Sequence, residues 1–145
     1  MRTVPTLRGL AAEDAPSVAR LTVQLGYDLD PGTAASRIAS VLETAGHFTF
    51  GAFLGESLIG YLHCFDRPSI EKGRALVVQA LVVDETVRGS GAGRLLMAEA
   101  ERRAGELGCT AVALSSGERR AGAHAFYERL GYRNSSLSRF FTKSL

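Results

Sequence analysis

The chain changes its hydrophobic period several times, and each change marks an element. A short apolar segment around Val4–Leu10 reads as a strand. Between Glu13 and Leu25, Val18, Leu21, Thr22 and Leu25 recur at i, i+3, i+4 and i+7, the spacing of one helix face. Gly26 is placed to end that helix. Asp30-Pro31 reads as an N-cap followed by proline at the first helical position. The helix it opens carries Ile38, Val41, Leu42 and Ala45 on one expected face, and Gly46 stops it. The period then falls to two. Phe48, Phe50, Ala52 and Leu54 alternate with Thr49, Gly51 and Phe53, Gly55-Glu56-Ser57 predicts a hairpin turn, and Leu58–Phe65 returns as the partner strand. Asp66–Gly73, with Pro68 and Gly73, reads as a loop. Ala75–Val83 is apolar except for Gln79, which predicts a strand buried on both faces in the middle of a sheet.

The second half alternates strand and helix. Arg88–Gly93 is a glycine-rich loop, and the helix after it runs to about Leu107. Leu96, Ala100, Ala104 and Leu107 form its inner face. Glu99, Arg102, Arg103 and Glu106 form its outer face, with Glu99 spaced to pair with Arg103 at i+4. Gly108 closes it, and Cys109–Leu114 is a short strand, so that strand, helix and strand predict a right-handed crossover between parallel neighbours. A last helix over Ala121–Leu130 buries Ala123, Phe126, Tyr127 and Leu130 and ends at Gly131. Tyr132 and Leu137–Thr142 are expected to supply the final strands. The order β-α-α-β-β-β-α-β-α-β-β predicts a mixed α/β sheet.

Composition narrows the class. The 145 residues suit one domain and are short for two. Seventeen basic and fifteen acidic residues give a net charge of +2, too balanced to imply nucleic acid or a membrane surface. No apolar run approaches the ~18 residues of a transmembrane helix. The N-terminus lacks the apolar stretch of a signal peptide, so a cytoplasmic protein is expected. Cys64 and Cys109 have no metal-ligand spacing and read as buried free thiols in a reducing compartment. The three histidines are scattered, and no metal site is expected.

The chemistry concentrates in one stretch, Leu81-Val82-Val83-Asp84-Glu85-Thr86-Val87-Arg88-Gly89-Ser90-Gly91-Ala92-Gly93-Arg94. A buried strand runs through a loop with three glycines in five residues and into a helix. Glycines let a backbone approach a ligand closely. The N–H groups at a helix start, at the positive end of its dipole, favour an anion. Phosphate binding is the physical reading; a plain glycine-rich turn is the alternative. A Walker A loop is excluded because no lysine lies here. A dinucleotide fingerprint begun at Gly89 or Gly91 would need its third glycine at Arg94 or Leu96, so both registers fail. What remains is Arg-x-x-Gly-x-Gly at Arg88, Gly91 and Gly93.

That pattern resembles the pyrophosphate loop of the GNAT superfamily of N-acetyltransferases. A second segment, Ala123-His124-Ala125-Phe126-Tyr127-Glu128-Arg129-Leu130-Gly131-Tyr132, is similar to the family's A-x-x-F-Y-x-x-x-G-[FY] pattern, with one helix and one strand between the two motifs. The resemblance implies a single N-acetyltransferase domain over residues 1–145. Its fold would be a mixed, mostly antiparallel central sheet with a splayed parallel pair, flanked by helices. It implies acetyl-CoA as co-substrate, no metal, and transfer of the acetyl group to a primary amine by direct attack.

The family's roles fall on matching positions. Leu81, Val82 and Val83 would lie along the pantetheine arm, Leu81 and Val83 offering main-chain groups and the Val83 N–H facing the thioester oxygen. Arg88, Gly89, Ser90, Gly91, Ala92, Gly93 and Arg94 would wrap the pyrophosphate. Tyr127 would protonate the departing thiolate; by spacing alone it is a core aromatic beside Phe126. Several family members carry glutamate where this chain has Gln79, which cannot act as a base but can hold a water. An asparagine common in the family is here Arg120, whose side chain either reaches a CoA phosphate or points to solvent. His63 reads as a satisfied strand histidine or a base, and His124 as a surface residue. The expected partner is a small-molecule or peptide amine, with no nucleic acid and no membrane, and a homodimer is left open. The competing reading is a non-catalytic acyl-CoA sensor or interaction module of the same fold.

Overall fold

The computed structural model describes residues 4–117 and 120–145. They fall into two compact units, Met1–Ser115 and Ser116–Leu145.

The first unit is built on a five-stranded sheet in the order β1 (Thr6–Arg8), β2 (His47–Leu54), β3 (Ser57–Arg67), β4 (Ala75–Val83) and β5 (Ala111–Leu114). The first three junctions are antiparallel and β4–β5 is parallel, the mixed sheet the sequence predicts. Helices α1 (Ala15–Gln24) and α2 (Pro31–Glu43) precede the hairpin, and α3 (Ala92–Leu107) links β4 to β5. Side chains alternate between the two faces of a strand. Tyr61 and Val82 pack with Val18, Leu21 and Ile38 of α1 and α2. Phe48 and Phe50, of opposite parity to Gly51, which pairs with Tyr61, lie under the Arg103 guanidinium of α3. The helices therefore sandwich the sheet. Leu21, Leu62, Leu76, Leu96 and Met97 are fully buried, each contributing about 1.5–3 kcal/mol.

Local chemistry sets the helix starts. The Asp30 carboxylate accepts the Thr33 N–H at 2.9 Å, with Pro31 at the first helical position. A 3₁₀ turn at Ala12–Asp14 leads into α1, and the Asp14 carboxylate accepts the Ala11 N–H at 2.8 Å while Arg8 donates to it at 2.9 Å.

Three expectations change in this unit. On α2 the buried stripe is Ala34 and Ile38, with Val41 half-buried, whereas Leu42 is 50% exposed and Ala45 lies outside the helix in solvent. Glu99 pairs with Arg102 at i+3, not with Arg103, because the Arg103 guanidinium is held over the Phe48 ring at 4.8 Å. Cys64 is a buried free thiol as expected, but Cys109 is only half-buried.

The second unit holds α4 (Ala121–Arg129). Arg120 N–H donates to the Gly117 carbonyl at 3.0 Å, and His124 Nε2 donates to the same carbonyl at 2.8 Å. Tyr127 meets Phe126 and Tyr132 edge to face at 5.3 and 6.2 Å. The strands expected at Tyr132 and Leu137–Thr142 do not form. The apolar residues there, Leu137, Phe140 and Phe141, are exposed, and their spacing of three then one puts them on no single strand face.

Gly60 is the tightest point of the sheet. A Cβ there would lie 2.8 Å from the Val82 carbonyl oxygen and 3.3 Å from the Val83 Cα, both backbone atoms of β4. Gly60→Ala should therefore destabilise the fold by about 1–3 kcal/mol, the usual range for overpacking. Urea unfolding checks this; an unchanged midpoint would show that β4 shifts freely.

Candidate functional site

β4 is regular up to Val78 and then changes partners. Val78 pairs with Cys64 and Ala80 with His63, so Gln79 is an extra residue, a β-bulge. The parallel register with β5 runs from Ala75 to Val78 and stops there. Beyond the bulge β4 keeps β3 on one side, while on the other its pairing with β5 has ended at Leu114, the last residue of that strand.

The exposed edge has a defined polarity. Asp84 N–H donates to the Ile59 carbonyl at 2.7 Å. Residues of an antiparallel ladder alternate between facing the neighbouring strand and turning away from it. Val82 and Ala80 thus bond toward β3, while Leu81 and Val83 turn their N–H and C=O groups to the edge that β5 has left. A main chain so presented can pair with an extended ligand as an added strand does.

Asp84 anchors the turn between β4 and the glycine loop. Its carboxylate accepts the Thr86 N–H at 3.1 Å and the Thr86 hydroxyl at 3.0 Å, and Arg20 of α1 donates to it at 2.8 Å. Gln24 of α1 accepts the Glu85 N–H at 2.9 Å. These contacts hold the Asp84 carboxyl well below its ordinary value of 3.8, at about 2, the Thr86 N–H contributing most and the Arg20 guanidinium next. One 3₁₀ turn, Glu85–Val87, then leads to Arg88.

Gly89 and Gly91 have φ of +90° and +89°, a region that favours glycine, and a Cβ at either would meet nothing within 4 Å. Gly91 caps α3, and Leu95 N–H donates to its carbonyl at 3.0 Å. The N–H groups of the first helical turn have no intrahelical partner. Ser90 Oγ lies 3.4 Å from the Ala92 nitrogen. Arg88 and Arg94 are exposed, and neither forms an ion pair among the described residues. Open backbone, free donors and two unpaired guanidiniums suit a phosphate group.

A strand edge of this kind, running into such a loop and helix, narrows the choice of family, and the sequence match decides it. Residues 16–132 match the acetyltransferase (GNAT) family. The chain belongs to that family. A curated relative, the uncharacterised N-acetyltransferase YhdJ of Bacillus subtilis, is 29% identical over 110 residues, 75% of this chain and 78% of its own length. Two solved structures share the fold. A transcriptional regulator from Bacillus halodurans superposes with a TM-score of 0.88 at 21% identity, over 96% of this chain and 99% of its own. The aminoglycoside N-acetyltransferase AAC(6')-Iy, in complex with CoA, does so at 0.86 and 16% identity, over 99% of this chain and 97% of its own. Among the described residues no helix is long and apolar enough to cross a membrane, and no group of three or more His, Cys, Asp or Glu is placed to hold a metal.

Beside the bulge, this GNAT chain has a cleft of about 430 Å³ between α2 and the sheet. Thr49, Tyr61, His63, Gln79 and Ala80 form the sheet wall, and Ala34, Arg37, Ile38 and Val41 the helix wall. His63 shares a 2.9 Å hydrogen bond with His47, whose ring stacks on Phe65 at 5.1 Å. Burial, and then the nearby His47, lower the His63 pKa below 6.5, so the imidazole is neutral at pH 7. Thr22 Oγ1 donates to the Val18 carbonyl at 2.7 Å, so the Tyr61 hydroxyl, 2.6 Å from that oxygen, must be the donor to it. In the second unit, burial raises the Tyr127 pKa, which keeps its hydroxyl protonated at neutral pH.

Sequence reasoning locates the strand, loop and helix and singles out His63 and Gln79, both of which line the cleft, but it misses Arg37, Thr49 and Tyr61 there. The polar Gln79 inside an apolar strand is the one available signal of the bulge. Nothing in the order of residues links His47 to His63 or sets Arg37 at the cleft.

Asp84 predicts a specific pH dependence. Its folded pKa lies below its unfolded one, so its stabilisation is present above about pH 4 and is lost as pH falls toward 2. Asp84→Asn should unfold at a lower temperature than the parent at pH 7, and the gap should close between pH 4 and pH 2. A gap that persists at pH 2 would place the cause elsewhere.

Proposed function

We propose that this protein transfers the acetyl group of acetyl-CoA to a primary amine by direct attack, its two units acting together as one catalytic domain. The observation that carries the proposal is the end of β4's pairing with β5 at Val78, on the strand that runs on through Val83 and one 3₁₀ turn into a loop with free donors and unpaired arginines. Family membership and the CoA complex of a structural neighbour support it. The open space at Gly89 and Gly91 fits a phosphate against the backbone.

Each group has its own task. The Gly91, Gly93 and Arg94 N–H groups, with the Arg88 and Arg94 guanidiniums, hold the pyrophosphate, and Ser90 accepts the Ala92 N–H between them. Leu81 and Val83 pair with the pantetheine arm through their main chain, Val82 holding the strand to β3 between them. The Val83 N–H lies on the same edge and stabilises charge developing on the thioester oxygen. The Tyr127 hydroxyl gives its proton to the departing sulfur. Acetyl-CoA supplies an activated acyl group: the neutral amine nitrogen bonds to the acyl carbon, the C–S bond breaks, the sulfur leaves with the Tyr127 proton, and the proton shed by the nitrogen passes to solvent water, from which Tyr127 is reprotonated.

The acceptor enters as a neutral amine. Gln79 takes no proton, and the His63 ring nitrogen facing His47 is already engaged. The absence of a carboxylate at Gln79 is what favours a second reading, an acyl-CoA sensor without turnover. Release of free thiol from acetyl-CoA with a panel of amines separates the two.

Tyr127→Phe keeps the ring contacts with Phe126 and Tyr132 and removes only the donor. Single-turnover rates should fall roughly 10²-fold, with acetyl-CoA affinity by calorimetry within about threefold, less than ~0.7 kcal/mol. An unchanged rate would return Tyr127 to a packing role.

The pH profile tests the missing base. kcat/KM should rise with pH toward the amine's own pKa and show no second inflection from a group of the protein. A limb below pH 6.5 that vanishes in His63→Ala would make the imidazole the proton acceptor.

A further inference from the structure

The cleft beside the bulge has a charge pattern that selects its occupant. Among the described residues, the only formally charged one lining it is Arg37. That side chain is exposed at the helix wall and has no ion pair or hydrogen bond among the described residues. No described carboxylate lines the cleft. Three carboxylates on the surrounding elements are engaged elsewhere: Asp14 by Arg8, Asp30 by Thr33, and Asp84 by Arg20. The rest of the lining is largely apolar, with Leu10, Val18, Leu29, Ile38 and Val41 facing it. A polycation entering here would meet a guanidinium and find no counter-charge, which costs affinity.

From this we infer that the cleft takes an apolar amino carboxylate, an amine with a hydrophobic body whose carboxylate pairs with Arg37. Arginine presents a planar fork that matches a carboxylate with two parallel hydrogen bonds. The apolar body packs between Ile38 and Val41 on one wall and Tyr61 on the other. The Tyr61 hydroxyl spends its proton on Thr22, so its oxygen remains an acceptor for an amine N–H. The cleft volume is within the usual ~300–1,000 Å³ of small-molecule sites. This inference rests on the acetyl-transfer reading only for what happens after binding; the choice of ligand comes from the lining.

The test uses matched pairs that differ only in the charged group. L-Phenylalanine is compared with L-phenylalaninamide, and 4-(aminomethyl)benzoate with benzylamine, with spermidine and kanamycin as polycations. Binding to the full chain is measured by calorimetry in the presence of CoA, and turnover by free thiol with acetyl-CoA. The carboxylate member of at least one pair should bind about tenfold or more tightly than its partner. Arg37→Gln should erase that preference and leave CoA affinity within twofold. Equal binding within both pairs, tighter binding of spermidine or kanamycin, or a loss of CoA affinity in Arg37→Gln would each overturn the assignment. Arg37-dependent binding without thiol release would keep the cleft assignment and sink the acetyl-transfer reading. Release with kanamycin alone would do the reverse.

Discussion

β4 cannot satisfy two neighbours along its whole length, and the rest of the structure is arranged around that constraint. Up to Val78 it is hydrogen-bonded on both sides. The extra residue at Gln79 then shifts its register against β3, and the parallel pairing with β5 ends at the same point. A buried strand with unpaired main-chain groups would be costly in a closed core. Here the unpaired edge of Leu81 and Val83 opens beside a glycine loop and a helix start that are also rich in unpaired donors. Both carry deficits that one extended, phosphate-bearing ligand would satisfy together.

The other face of the same strand lines the cleft under α1 and α2. Because of the bulge, Ala80 and Val82 take the face toward α1 and α2 alongside His63 and Tyr61. The cleft and the unpaired edge thus lie on either side of the same stretch of β4. Helix α1 ties them together: Val18 and Leu21 pack on the sheet, while Arg20 and Gln24 hold Asp84 and Glu85 where β4 becomes the loop. The close approach of Gly60 to the β4 backbone keeps the strand in that position from the β3 side.

Much of this is legible in the residues. Ala75–Val83 reads as a central strand because nearly every side chain is apolar, and Asp30-Pro31 starts a helix because a carboxylate and a fixed φ act over four consecutive positions. The glycine loop and the Phe126-Tyr127 segment are local patterns too, and they carry the family. Where a residue's fate depends on a distant partner, the local pattern misleads. Arg103 has the right spacing for Glu99, but the ring of Phe48, remote in the chain, holds its guanidinium. Leu42 has the right period for the core, but α2 turns Ala34 and Ile38 inward and leaves Leu42 half exposed.

The order of residues is enough, without any coordinates, for the mixed sheet, most of its element order, the glycine-rich passage from strand to helix and membership of the GNAT family. Each is written in side chains a few positions apart. Three-dimensional packing is needed to learn that β4 bulges at Gln79, that His63 meets His47, and that Arg37 stands at an apolar cleft without a described carboxylate. Those are matters of register between strands and of which face a helix turns to the sheet. They depend on pairings between segments remote in the chain, whose energies the local pattern does not contain.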